Sequence, residues 1–92
     1  LKVTFDPVKR ETTLKDRGLD FADADKVFAG ETWTLPDRRV DYPEPRFQTI
    51  GFLAGRMVMV VWTPDGIARR VISMRKCNER EQKAHGQQFG EG

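Results

Sequence analysis

The sequence predicts an α+β domain: two N-terminal helices packed on a mainly antiparallel sheet, with a short C-terminal helix. Three observations carry that prediction. Capping and stop residues bracket two helical segments in the first third of the chain. Three strand-like segments then follow at tight spacing, separated by the hairpin signals Ala54-Gly55 and Pro64-Asp65-Gly66. Between those turns, Met57–Trp62 is a six-residue apolar run without polar alternation, the pattern of a central strand covered on both faces. A chain of 92 residues fits one domain, whose folding should bury roughly two-thirds of its unfolded surface.

Lys2–Phe5 alternates polar and apolar and reads as a short first strand. Asp6 is placed to cap a helix over Pro7–Arg17, because proline in the first turn loses no needed N–H. Val8 and Leu14 are expected among its inward residues, and Gly18 supplies the left-handed cap. A second helix is expected over Asp20–Phe28, where Phe21, Ala24, Val27 and Phe28 recur at helical spacing. Asp20 or Asp23 caps it and Gly30 stops it. Thr32–Leu35 forms a short strand, and prolines at 36, 43 and 45 make Pro36–Pro45 a loop. The three main strands are Phe47–Leu53, Arg56–Thr63 and Ile67–Met74, followed by a helix over Arg75–Ala84. Residues 1–84 thus form the domain. The Gly- and Gln-rich residues 85–92 are expected as a flexible tail.

Composition narrows the class. The 38% apolar content argues against disorder, and the longest apolar run is far too short for a membrane span. The opening residues carry no signal-peptide pattern, and a lone Cys77 suits a reducing compartment, so a cytoplasmic protein is expected. Net charge is only +2, but its distribution is uneven: residues 69–80 hold five Arg or Lys and one acid. No His/Cys cluster has metal-ligand spacing and no Gly-rich phosphate loop is present, so neither metal nor cofactor is expected. His85 is the single histidine, which excludes a His pair or a His-based triad. Trp33 and Trp62 read as core residues.

Two arginine-rich stretches remain. Asp37–Arg46 carries Arg39 and Arg46 beside Tyr42 and Glu44, and Arg69–Lys76 carries Arg70, Arg75 and Lys76. Planar, permanently charged guanidinium forks suit bidentate contact with phosphodiesters. The bland alternative for the first stretch is a solvated connection in which Asp and Arg pair with each other. In the second, alternation would set Arg70, Ile72 and Met74 on one face and Arg69, Val71 and Ser73 on the other.

The order of residues resembles the BrnT toxin family. The pattern runs through Phe5-Asp6-Pro7-x-Lys9, Gly18-Leu19-Asp20-Phe21-Ala22-Asp23-Ala24, Val27-Phe28, Asp37-x-Arg39-x-x-Tyr42-x-Glu44-x-Arg46, Ile50-Gly51 and Arg70–Lys76. Glu81 stands where the family carries a late glutamate. The chain departs from the pattern at Phe5 (often Trp), Thr13 (Asn), Arg17 (His) and Pro43 (Gly). The resemblance implies a RelE-like fold and the toxin half of a type II toxin–antitoxin pair, a ribonuclease that arrests translation. It also implies a BrnA-like ribbon-helix-helix antitoxin as partner, operator DNA bound only through that antitoxin, and a heterotetramer. For metal-independent cleavage through the RNA 2′-hydroxyl, Arg39, Arg46, Arg70 and Arg75 are the candidate charge stabilisers. Glu44 is the candidate base, with Tyr42 or Lys76 as acid. The competing expectation is a non-catalytic module that binds nucleic acid or a partner through the same basic surface.

Overall fold

The computed structural model describes residues 1–89. It is α+β, with one five-stranded sheet. The strands are β1 (Val3–Thr4), β2 (Trp33–Pro36), β3 (Phe47–Leu53), β4 (Arg56–Asp65) and β5 (Ala68–Lys76), in the order β1-β5-β4-β3-β2. Only the β1–β5 pair is parallel. Helices α1 (Pro7–Arg17), α2 (Ala24–Ala29) and α3 (Glu79–Gly86) complete the described residues, with short 3-10 turns at Phe21–Asp23 and Gln87–Phe89. Among these residues no helix is long and apolar enough to cross a membrane.

Local chemistry explains most element ends. The Asp6 carboxylate accepts from the Val8 N–H, Pro7 opens α1, and Gly18 closes it at φ +69°. The second helical segment is split. Asp20 accepts from the Ala22 N–H and caps the 3-10 turn, whereas Asp23 makes no side-chain cap before α2. The β3–β4 turn puts Ala54 at φ +50° and Gly55 at φ +78°, the two positive values a type I′ turn needs. The third helix starts later than expected because β5 continues to Lys76 in register with Val58. Residues 85–89, expected as the start of a tail, finish α3 and form the last 3-10 turn, with Phe89 edge-on to Phe52. Residues 90–92 of that expected tail lie outside the described residues.

The main core lies between the sheet and the N-terminal helical segment. Leu19, Phe21, Ala24 and Val27 meet Val58, Val60, Trp62, Val71 and Met74 there. β4 is buried from Met57 to Thr63, as a central strand with both faces covered should be. Gly51 permits the close approach of α2, because a Cβ there would lie 2.7 Å from Val27 Cγ1. Val8 and Leu14 do not face inward as expected: they are 72% and 45% exposed. α1 is held by polar contacts instead. Arg10 forks onto Asp20, and Arg17 donates to the Met74 carbonyl. This leaves the apolar residues of α1 no core to enter.

One irregularity decides the layout of the site. Val61 pairs with Ser73 and Trp62 with Val71, so Ile72 is an extra residue on β5, a β-bulge. Opposed residues share a face in an antiparallel pair. Val71 therefore joins Met74 on the helix-covered face, while Arg70 (opposite Thr63), Ser73 and Arg75 (opposite Met59) share the other. Strict alternation fails here because the bulge moves every later side chain to the opposite face. It is the bulge that brings Arg70 and Arg75 to the same side.

Candidate functional site

The second sheet face is divided. A small cluster of Ile50, Met57, Met59 and Cys77 fills one end, with Trp33 and Phe89 packed against it. His85 lies over Trp33 at 5.4 Å, and burial pushes the Cys77 thiol up. At the other end the loop of residues 37–46 encloses an open cleft of about 760 Å³. Its base is closed by the Asp37 N–H donating to the Arg46 carbonyl at 2.8 Å. The Thr63 hydroxyl donates to the Pro45 carbonyl at 2.6 Å and ties the loop to β4. Arg70, opposite Thr63, stands beside that tether.

Within the loop, residues two apart in sequence pair across bends, and Asp37 also accepts from the Arg39 backbone N–H at 3.3 Å. Arg39 Nε and Nη2 donate to the two oxygens of Asp37 at 2.8 and 2.7 Å. The Asp37 side chain is wholly buried, whereas Arg39 is 60% exposed, so the carboxylate acts as a fixed bracket and the guanidinium remains accessible. Arg46 Nε donates to Glu44 Oε2 at 3.1 Å, and its guanidinium lies 4.1 Å from the Tyr42 ring centre. The pairing that would make a solvated connection is thus present. Its effect is to aim two forks into a cleft.

Arg75 is the most constrained of the group. Its Nη1 and Nη2 donate to Glu81 Oε1 and Oε2 at 2.8 and 2.6 Å, and Nη2 lies 3.6 Å from Met59 Sδ. The hydrogen bonds to Glu81 raise the Arg75 pKa above its ordinary value. Glu81 belongs to a capping box: Asn78 accepts from the Glu81 N–H, and the Asn78 N–H donates back to Glu81 Oε1. Arg70 is exposed and makes no ion pair among the described residues.

Six of the seven expected residues, Arg39, Tyr42, Glu44, Arg46, Arg70 and Arg75, therefore border the loop cleft or the adjoining face. Lys76 does not. It is exposed opposite Val58, whose side chain belongs to the helix-covered core. Asp37 was missed as a bracket, although an acid two residues before each loop arginine is visible in Asp37-x-Arg39 and Glu44-x-Arg46. Arg69 is set apart by its packing: its guanidinium lies 4.6 Å from the Phe28 ring centre and 4.2 Å from that of Trp62. No three His, Cys, Asp or Glu side chains among the described residues gather as a metal site.

Two carboxyls of this region titrate abnormally. Hydrogen bonds from Arg39 hold Asp37 at about 2, and hydrogen bonds from Arg75 and the Asn78 N–H hold Glu81 at about 2. A carboxyl depressed on folding contributes stability that is complete above its unfolded pKa of about 4 and drains as pH falls toward the folded value. The urea midpoint should therefore hold from pH 7 to about 5 and fall between about pH 4 and 2. Asp37→Asn should flatten part of that fall; an unchanged acid loss would contradict the role of the pair.

The family model described as "Ribonuclease toxin, BrnT, of type II toxin-antitoxin system" matches residues 5–81. No curated protein matches the chain.

Proposed function

Because the chain belongs to the BrnT family of ribonuclease toxins of type II toxin–antitoxin systems, we propose that it cleaves RNA without a metal ion and thereby inhibits translation. The observation that carries this reading is the placement of Arg39 and Arg46 in the loop cleft and of Arg70 and Arg75 on one sheet face, to which Thr63 tethers the loop. Phosphodiester cleavage builds negative charge on the phosphorus oxygens, and fixed guanidinium donors are strongest where that charge develops.

In this reading the 2′-oxygen of the substrate attacks phosphorus while the bond to the 5′-oxygen breaks. The products are a cyclic phosphate and a free 5′-hydroxyl. Arginine stays protonated near neutral pH, so the four arginines bind and stabilise charge rather than carry protons. Glu44 Oε1 accepts no hydrogen bond from the described residues and is the proposed base for the 2′-hydroxyl proton. Tyr42 is the proposed acid for the 5′-oxygen, preferred over Lys76 because it lines the cleft. Each must come within about 3 Å of its atom, and each such transfer contributes about 10²–10⁴-fold.

The proposed setting is the cytoplasm, with a BrnA-like ribbon-helix-helix antitoxin as partner in a heterotetramer. Operator DNA is then contacted through the antitoxin. The test is incubation of the purified chain with free RNA and with translating ribosomes. Fragments in either case are the expected result. Salt-sensitive RNA binding with no fragments in both would replace the enzyme with a non-catalytic binding module.

A further inference from the structure

We propose that Glu81 is a positioning residue, which orients Arg75 for the phosphate from outside the reacting group; this rests on the ribonuclease reading above. Arg75 lies at the end of β5, and its long side chain would otherwise sample many rotamers. Glu81 removes that freedom by accepting from both terminal nitrogens, at 2.8 and 2.6 Å. Nη1 also reaches the Lys76 carbonyl at 3.4 Å and Nη2 the Met59 sulfur at 3.6 Å, so Nε–H is the guanidinium donor left for a phosphate among the described residues.

Glu81 is itself fixed. The Asn78 N–H donates to its Oε1 at 2.9 Å, and its own N–H donates to Asn78 Oδ1 at 2.8 Å. Gln82 Nε2 and Arg56 Nη2 both donate to the Cys77 carbonyl, which anchors the start of α3 to the sheet. The first turn of α3 thus sets the carboxylate, and the carboxylate sets the fork. Arg70, on the same sheet face, has no such bracket among the described residues.

The test compares cleavage by wild type, Glu81→Gln, Arg75→Ala and the double variant. Glutamine keeps the capping box but offers one acceptor atom where the fork needs two. Glu81→Gln should stay folded, and its kcat should fall roughly tenfold with KM unchanged or lower, because an interaction made in the transition state has been loosened. In the Arg75→Ala background the same change should cost nothing further.

A Glu81→Gln enzyme as fast as wild type or faster would overturn the inference, since Glu81 would then be neutral or a competitor of phosphate. An equal loss in both backgrounds would overturn it as well, reducing Glu81 to a structural cap. Wild-type protein that leaves RNA uncut, free and on ribosomes, would overturn the ribonuclease reading itself and the inference with it.

Discussion

Arg70→Ala and Arg75→Ala are each expected to lower the cleavage rate by about 10²–10³-fold, the cost of deleting one fixed donor to developing charge. The two variants should differ in everything else. Arg70 is exposed and unpaired among the described residues, so its removal should change stability by less than about 0.5 kcal/mol. Arg75 holds Glu81, so its loss should also loosen the start of α3 and weaken the acid dependence that Glu81 contributes. Arg70→Lys should recover only part of the rate, because an ammonium keeps the charge and loses the planar fork. Single-turnover cleavage with parallel thermal unfolding checks all three. Full activity in both alanine variants would remove β5 from the site.

Trp62→Ala is expected to be the most destabilising single change, costing about 3–5 kcal/mol. Trp62 is 8% exposed and joins several layers of the fold. Its ring stacks on Phe47 at 4.9 Å, meets Phe28 edge-on at 5.7 Å and carries the Arg69 guanidinium at 4.2 Å. Its Nε1–H donates to the fully buried Thr49 hydroxyl at 2.8 Å. Domains of this size are stable by about 5–15 kcal/mol in total, so the variant should lose a large part of its urea resistance. Trp33→Ala should cost less, because Trp33 is half-buried at the smaller cluster. Equal urea midpoints for the two variants would contradict this ranking.

Features set by neighbours in the chain were legible in the sequence. Asp6, Pro7 and Gly18 bound α1 at the expected residues, and β3 spans Phe47–Leu53 as read from its flanking turn and prolines. These depend on local dihedral and capping preferences that the residue types carry themselves. Val8 and Leu14 misled because hydrophobicity says where a side chain gains from burial, and the Arg10–Asp20 and Arg17–Met74 contacts turned α1 otherwise. The arginines were readable as candidate phosphate contacts, but their common face was not. That depends on the bulge at Ile72, which arises from register against β4 and leaves no mark in the β5 sequence. The Asp37–Arg39 and Glu44–Arg46 pairs could have been read from their two-residue spacing. The Arg75–Glu81 pair could not, because it forms only after the chain reverses between β5 and α3.

The central claim is that arginines and a carboxylate, without a metal ion, cleave RNA through its own 2′-hydroxyl. Its most direct test is to treat labelled RNA, free and on translating ribosomes, with the purified chain in EDTA and to identify the new ends, with Arg70→Ala as control. Fragments ending in cyclic phosphate and beginning with a free 5′-hydroxyl, absent with the variant, are the predicted result. Cleavage that stops in EDTA, or that leaves a 5′-phosphate, would contradict it.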